Sequence, residues 1–166
     1  MTHLLPTADR PWTIAAVSYT SPAARELTQA LHSEQVATYG RADDPEATDA
    51  TEFDPPNGTF FLAARADGTA LACGGWRTAG HGTAEIKRMY VAPAARGHGL
   101  GRQVLEALED DARRHGMSEV ILETGVNNLA ALALYARCGY ARVPSYVPGR
   151  DLRINRALGK PLVPSR

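Results

Sequence analysis

Residues Glu85 to Gly101 read Glu-Ile-Lys-Arg-Met-Tyr-Val-Ala-Pro-Ala-Ala-Arg-Gly-His-Gly-Leu-Gly, and few local structures accommodate them. An apolar-rich strand pattern runs into Ala92-Pro93, an arginine and three alternating glycines follow, and helical periodicity opens at about Leu100. A strand that turns through glycines into a helix start is suited to hold phosphate. The first N–H groups of a helix lack an internal partner, and the dipole there favours negative charge. Glycine lets the backbone approach an anion with no Cβ in the way, and Arg96 adds positive charge at the entrance.

The spacing narrows the motif. No Gly-Lys-Ser/Thr closes the glycine run, so it is not a P-loop, and Gly97-x-Gly99-x-Gly101 does not match the dinucleotide fingerprint G-x-G-x-x-G. The pattern that fits is Arg-x-x-Gly-x-Gly, at Arg96, Gly99 and Gly101; a tight strand-to-helix connection is the plainer account. A second block follows in order, Asn128-Leu-Ala-Ala131-Leu-Ala-Leu-Tyr135-Ala-Arg-Cys-Gly139-Tyr140, after the strand-like run Glu119 to Thr124. Together the two blocks resemble the GNAT superfamily of N-acetyltransferases, over roughly Phe60 to Lys160. In that family the first loop grips the pyrophosphate of acetyl-coenzyme A.

Periodicity and punctuation give the element order. Trp12 to Tyr19 alternates as a strand, and Ser21-Pro22 caps a helix that runs to about Tyr39 with Gly40 as its stop. Arg41 to Asn57 is an acidic loop, part of it open to a short helix. Thr59 to Ala66 and Ala70 to Thr78 form a hairpin about Asp67-Gly68, and Thr83 to Val91 adds a third strand. Leu100, Val104, Leu105, Leu108 and Ala112 make one face of a helix ended by Gly116. Val120 to Thr124 is a strand and Leu129 to Cys138 a helix. Tyr140 to Val147 and Asp151 to Leu158 are expected as a final hairpin around Pro148-Gly149. The expected fold class is α/β (α+β): a mixed, mostly antiparallel central sheet of about seven strands flanked by helices on both faces, as the resemblance also implies. All 166 residues read as one domain.

Composition sets bounds on partners. Lys plus Arg equals Asp plus Glu, so the net charge of zero gives no reason to expect a nucleic-acid partner. Pro6, Asp9, Arg10 and Pro11 break any apolar signal core, and no run approaches the length of a membrane span. Cys73 and Cys138 form no C-x-x-C and read as two buried thiols in a reduced, cytoplasmic protein, with catalytic cysteine the sharper alternative. The five histidines, at 3, 32, 81, 98 and 115, show no metal-ligand spacing. Small domains of this kind commonly form homodimers, with the last strands available as a surface, though no pattern here specifies one.

The resemblance implies that the backbone at Met89, Tyr90 and Val91 pairs with the pantetheine amides, much as a peptide adds to a strand edge. It implies that Arg96, Gly97, His98, Gly99, Leu100, Gly101 and Arg102 hold the pyrophosphate, His98 and Leu100 through backbone only. Asn128 is expected at the cofactor arm, with a helix N-cap as a compatible alternative. An ammonium acceptor must lose a proton before attack, because its pKa lies near ~10.4. Two glutamates are candidate bases. Glu85 lies eleven residues before Arg96, matching the histone-acetylating branch. Glu123 lies five before Asn128 and twelve before Tyr135, matching the ribosomal-protein N-terminal branch. Either is otherwise a polar strand residue paired with Lys87, Arg88 or Arg137. Tyr135 is implied as general acid for the departing thiolate, with a core aromatic as the alternative.

For the acceptor, Glu34 continues the stripe Ala24, Leu27, Leu31 and is a candidate to bind a cationic amine. Tyr39, Trp76 and Tyr146 are candidate aromatic walls or core residues. The stretch Asp43 to Asp54 can attract a polyamine or basic peptide, or simply face water. The function expected is transfer of an acetyl group from acetyl-CoA to a primary amine by direct attack. The alternative is a non-catalytic acyl-CoA-binding sensor or assembly module.

Overall fold

The structure, a computed structural model, describes residues 11–163. His3 and the residues Pro6, Asp9 and Arg10 lie outside the described residues. Ten elements follow in order: β1 (Thr13–Ala16), α1 (Pro22–Tyr39), β2 (Gly58–Ala64), β3 (Ala70–Thr78), β4 (Thr83–Val91), α2 (Leu100–Arg114), β5 (Glu119–Gly125), α3 (Leu129–Arg137), β6 (Ala141–Arg142) and β7 (Asn155–Pro161). The strands form one sheet in the order β1-β2-β3-β4-β5-β7-β6. Only β4 and β5 pair in parallel; the other neighbours are antiparallel.

Each helix follows from local chemistry. The Ser21 side chain accepts the Ala24 N–H at the start of α1, Pro22 supplies a pre-set φ, and Gly40 ends the helix at φ 81°. Its Ala24 and Leu27 pack with Tyr19, Phe53, Phe60, Leu62, Cys73 and Tyr90 on one side of the sheet. On the other side, α2 brings Leu100, Val104, Leu105, Leu108 and Ala112 against Trp76, Val120 and Leu122, and α3 adds Tyr135. Each fully buried leucine contributes about 1.5–3 kcal/mol through apolar burial. Helices therefore cover both faces, as the periodicity predicts.

The acidic loop forms short helical turns, as expected of part of it, whereas the final hairpin departs from the expectation. The acidic loop holds two short 3-10 turns, Pro45–Ala47 and Ala50–Phe53, capped by the Asp44 and Asp49 side chains. Three more of its carboxylates are engaged: Glu46 with Arg25, Glu52 with Arg77 and Asp43 with Arg150. The stretch is thus a structural clasp over α1 and the sheet, with Phe53 driven into the core. The final hairpin is not centred on Pro148-Gly149. β6 is two residues long and β7 begins only at Asn155, with Ala141 opposite Gly159 and Arg142 opposite Leu158. Pro144 and Pro148 cannot donate to a ladder. The Asp151 carbonyl accepts both Ile154 N–H and Asn155 N–H, which closes a turn where a strand was expected. Residues 143–154 become a long connection instead.

Two irregularities shape the sheet centre. Pairing of β3 with β4 shifts from Cys73↔Tyr90 to Gly75↔Lys87, so Arg88 and Met89 oppose Gly74 alone. Arg88 takes φ 60° at this bulge, a strained value for a residue with a Cβ. The parallel rungs of β4 and β5 run from Thr83↔Glu119 to Ile86↔Leu122 and stop. Beyond that point β5 continues only with β7, from Glu123↔Ala157 to Gly125↔Asn155, and β4 only with β3. The sheet forks.

Candidate active site

The fork opens into a cavity of about 530 Å³. Lys87, Arg88 and Met89 of β4 line it opposite Glu123 and Thr124 of β5, with Tyr135 of α3 among its walls. Among the described residues, β4 has β3 on one side and no strand on the other from Lys87 onward, so its outer backbone edge faces the opening.

Past Val91 the chain makes a short turn, Pro93–Ala95, and enters the glycine loop. Gly97 and Gly99 lie at φ 85° and 78°, conformations that favour glycine, and nothing stands within 4 Å of where their Cβ atoms would be. No side chain caps α2 at Gly99. The amides of Leu100, Gly101 and Arg102 are therefore open to an anion. Leu100 is buried in the core, so only its backbone serves the loop, and His98 is exposed beside it. Arg102 points along the helix to Glu106 at 2.9 Å. The Arg96 charge is already paired: its guanidinium bonds the Val91 carbonyl at 2.9 Å and both oxygens of Glu34, at 2.9 and 3.1 Å. It also lies over the Tyr90 ring. Glu34, half-exposed at the rim, is thus a tie between α1 and the loop rather than a buried anchor.

The two candidate bases sit in different environments. Glu85 is 5 % exposed. One of its oxygens accepts from Arg77 Nε at 2.9 Å and the other from the Tyr146 hydroxyl at 2.8 Å. Burial, and then the Glu85 charge, push the Tyr146 hydroxyl well above the ordinary phenol range. Glu123 has one oxygen bonded by Arg150 Nε at 3.1 Å, while Oε2 is buried without a hydrogen-bond partner among the described residues. Burial raises the Glu123 pKa and Arg150 opposes it. Arg150 also bonds Asp43, at 2.7 and 3.3 Å, which holds that carboxyl below its usual range.

Tyr135 is 5 % exposed, packs edge-on to Tyr140 and reaches the cavity. Burial pushes its hydroxyl far above the ordinary phenol range. Asn128 Oδ1 accepts the Ala131 N–H at 3.2 Å, so the side chain is the cap of α3 at the cavity wall.

Of the three aromatic candidates, Tyr39 lines the cavity and accepts the Asn127 N–H at 3.2 Å. Tyr146 reaches the site through Glu85. Trp76 does not belong to it. The indole is fully buried and donates to Asp111 at 2.8 Å on the α2 side. Strand parity explains this: Trp76 pairs with Ile86 and faces α2, whereas its neighbour Arg77 pairs with Glu85 and faces α1. Arg77 and Arg150 escape a sequence reading, since one is a mid-strand residue paired across the sheet and the other sits on an irregular connection. Cys73 is buried and its thiol is pushed up to about 12 by burial, far from a nucleophilic thiolate.

Comparison with known proteins bears on the family and the fold. The sequence model of the Acetyltransferase (GNAT) family matches residues 24–140. An IAA acetyltransferase of Azospirillum brasilense is 42% identical over 104 residues, 61% of this chain and 67% of that protein. A protein of Klebsiella pneumoniae subsp. pneumoniae MGH 78578, for which acyl-CoA N-acyltransferase activity has been suggested, superposes with a TM-score of 0.78. That match has 30% identity and covers 92% of this chain and 98% of the other. A GNAT-family acetyltransferase of Staphylococcus aureus MU50 shares the fold, with a TM-score of 0.75, 19% identity and coverage of 91% and 100%. With an acyl-CoA as donor and a second substrate as acceptor, this chain belongs to the GNAT family of N-acetyltransferases.

Proposed function

We propose that the protein transfers the acetyl group of acetyl-CoA to a primary amine by direct attack, with Glu123 as general base and Tyr135 as donor to the departing sulfur. The observation that carries this reading is the unpartnered Oε2 of Glu123, in the same cavity that Tyr135 lines. Pyrophosphate would rest on the amides at the start of α2. The pantetheine arm would follow the open edge of β4 toward the fork, which brings the thioester between β4 and β5.

The acceptor enters as an ammonium and gives one proton to Glu123. A carboxylate with a raised pKa is a better base near neutrality than an ordinary one. The nitrogen lone pair then attacks the thioester carbonyl carbon, the C–S bond breaks and the thiolate leaves. Tyr135 donates its O–H to the developing thiolate. A buried phenolate is costly, so the hydroxyl recovers its proton from the second N–H of the acetylated nitrogen as the thiol forms. Amide, thiol and one proton on Glu123 complete the balance. Glu85 has both oxygens engaged by donors, which suits it to hold Arg77 and Tyr146 in place. The raised thiol of Cys73 gives no support to an acyl-enzyme.

Calorimetric titration with acetyl-CoA, with adenosine as control, followed by an amine screen for turnover, tests the reading. Binding of the whole cofactor and not adenosine, with amine-dependent release of CoA, is the expected result. A folded protein that binds no acetyl-CoA would overturn it.

A further inference from the structure

The charges lining the cavity are unequally engaged. Five carboxylates face it: Glu34, Asp43, Glu85, Glu123 and Asp151. Every one is bonded by an arginine, namely Arg96, Arg150, Arg77, Arg150 and Arg153 in that order. Of the cations on the same walls, Arg41, Lys87 and Arg88 have no ion-pair partner among the described residues; Arg41 is exposed at the rim, whereas Lys87 and Arg88 are partly buried at the fork. Arg88 places one terminal nitrogen on the Thr48 hydroxyl at 3.1 Å and leaves Nε buried with no acceptor among the described residues. A buried guanidinium N–H is rarely left in that state, and a ligand oxygen is the natural partner. The strained φ of Arg88 holds this side chain at the fork.

Position adds to charge. Lys87 and Glu123 are the first residues beyond the last parallel rung, Ile86↔Leu122. Their backbones therefore stand about 5 Å apart or a little more, the spacing of neighbouring strands as they begin to part. The proposed base and the free cations thus flank one small volume. The open amides at Leu100, Gly101 and Arg102 are the place for the cofactor's phosphates, at the far end of the β4 edge.

We infer that the acceptor is an amino-acid-like molecule, whose carboxylate is held by Lys87 and Arg88 while its amine faces Glu123. This deepens the proposed acetyl transfer and rests on it. One anionic group beside the amine satisfies the free cations and leaves the nitrogen next to the base.

The test uses pools of the common L-amino acids and of their carboxamides, offered with acetyl-CoA to the wild type and to Lys87→Met, Arg88→Gln and Arg88→Lys. Acetylated products are read by mass spectrometry and acetyl-CoA binding by calorimetry. The wild type should favour acids over amides by about 10-fold or more. Lys87→Met and Arg88→Gln should each lower acid acetylation on the order of 10- to 100-fold and amide acetylation little, with acetyl-CoA affinity unchanged. Arg88→Lys controls for the strained backbone and should retain part of the preference. Equal use of both pools, preference for amides, or loss of acetyl-CoA affinity in Lys87→Met without a change in acid preference would each overturn the inference. So would acetyl-CoA binding with neither pool acetylated. No binding of acetyl-CoA by the folded wild type would sink the acetyl-transfer reading itself, and this inference with it.

Discussion

Arg150 Nε bonds one oxygen of Glu123 at 3.1 Å, and the second oxygen of that carboxylate stays buried without a partner among the described residues. The pair joins an irregular connection to the first strand position past the fork. It holds the proposed base in place and leaves its second oxygen unoccupied. The pH dependence of turnover should report this arrangement.

The proposed base works only when ionised, and its pKa lies above the usual carboxylate value of ~4.3. Activity should rise with pH through that raised pKa and be lost as pH falls through it. Glu123→Gln should lower kcat/KM at neutral pH by about 10²- to 10⁴-fold and abolish this acid limb. Arg150→Met removes the charge that opposes burial, so the acid limb should move to higher pH. Rate profiles of the three proteins check this, and an unchanged profile in Glu123→Gln would remove Glu123 from the role.

Tyr135→Phe keeps the ring against Tyr140 and deletes the hydroxyl. kcat should fall by about 10²-fold or more, with acetyl-CoA affinity preserved. Calorimetry beside steady-state kinetics separates the two quantities. A variant with full kcat would show that the sulfur leaves without this donor.

A Cβ on Gly125 would lie 1.9 Å from the Tyr39 hydroxyl oxygen. Gly125→Ala should cost about 1–3 kcal/mol through overpacking. Tyr39→Ala in the same protein should recover part of that loss, because it removes the clashing group. Denaturant melts of both singles and the double variant give the coupling directly.

Trp76→Phe deletes the indole N–H donated to the largely buried Asp111. The expected cost is about 1–3 kcal/mol of stability, from the carboxylate losing its donor. KM for any acceptor should be unchanged in the folded variant, since the indole faces α2 and not the cavity. A selective rise in acceptor KM would contradict the strand parity described above.

Most of the scaffold was legible because it depends on local chemistry. Ser21, Pro22 and Gly40 bracket α1 without help from the rest of the chain, and Asp67-Gly68 sets the β2–β3 turn. The glycine loop reads equally well, since the φ of Gly97 and Gly99 belongs to the residue type. What failed depends on distant partners. The parity of Trp76 rests on a cross-strand register, and a bulge at Arg88 interrupts that same ladder. β6 shrinks to two residues because its prolines and the Asp151 turn leave no ladder to extend, and β7 starts late for the same reason. The hydroxyl of Tyr146 and the guanidinium of Arg150 reach Glu85 and Glu123 from that irregular stretch. Nothing in the spacing of such residues announces a site. Glu85 and Glu123 were equally visible as strand glutamates; only the count of donors on each distinguishes them.

The fork has one more effect. A row of unpaired strand amides at the margin of a molecule invites a second chain to add on, the usual beginning of aggregation. Here the open edge of β4 lines a cleft at the centre of the sheet, beside β5, while β1 and β6 form the sheet's margins. The stickiness of an unfinished sheet is thus kept at its centre and not at its margin. A slender, extended small molecule can still slide in.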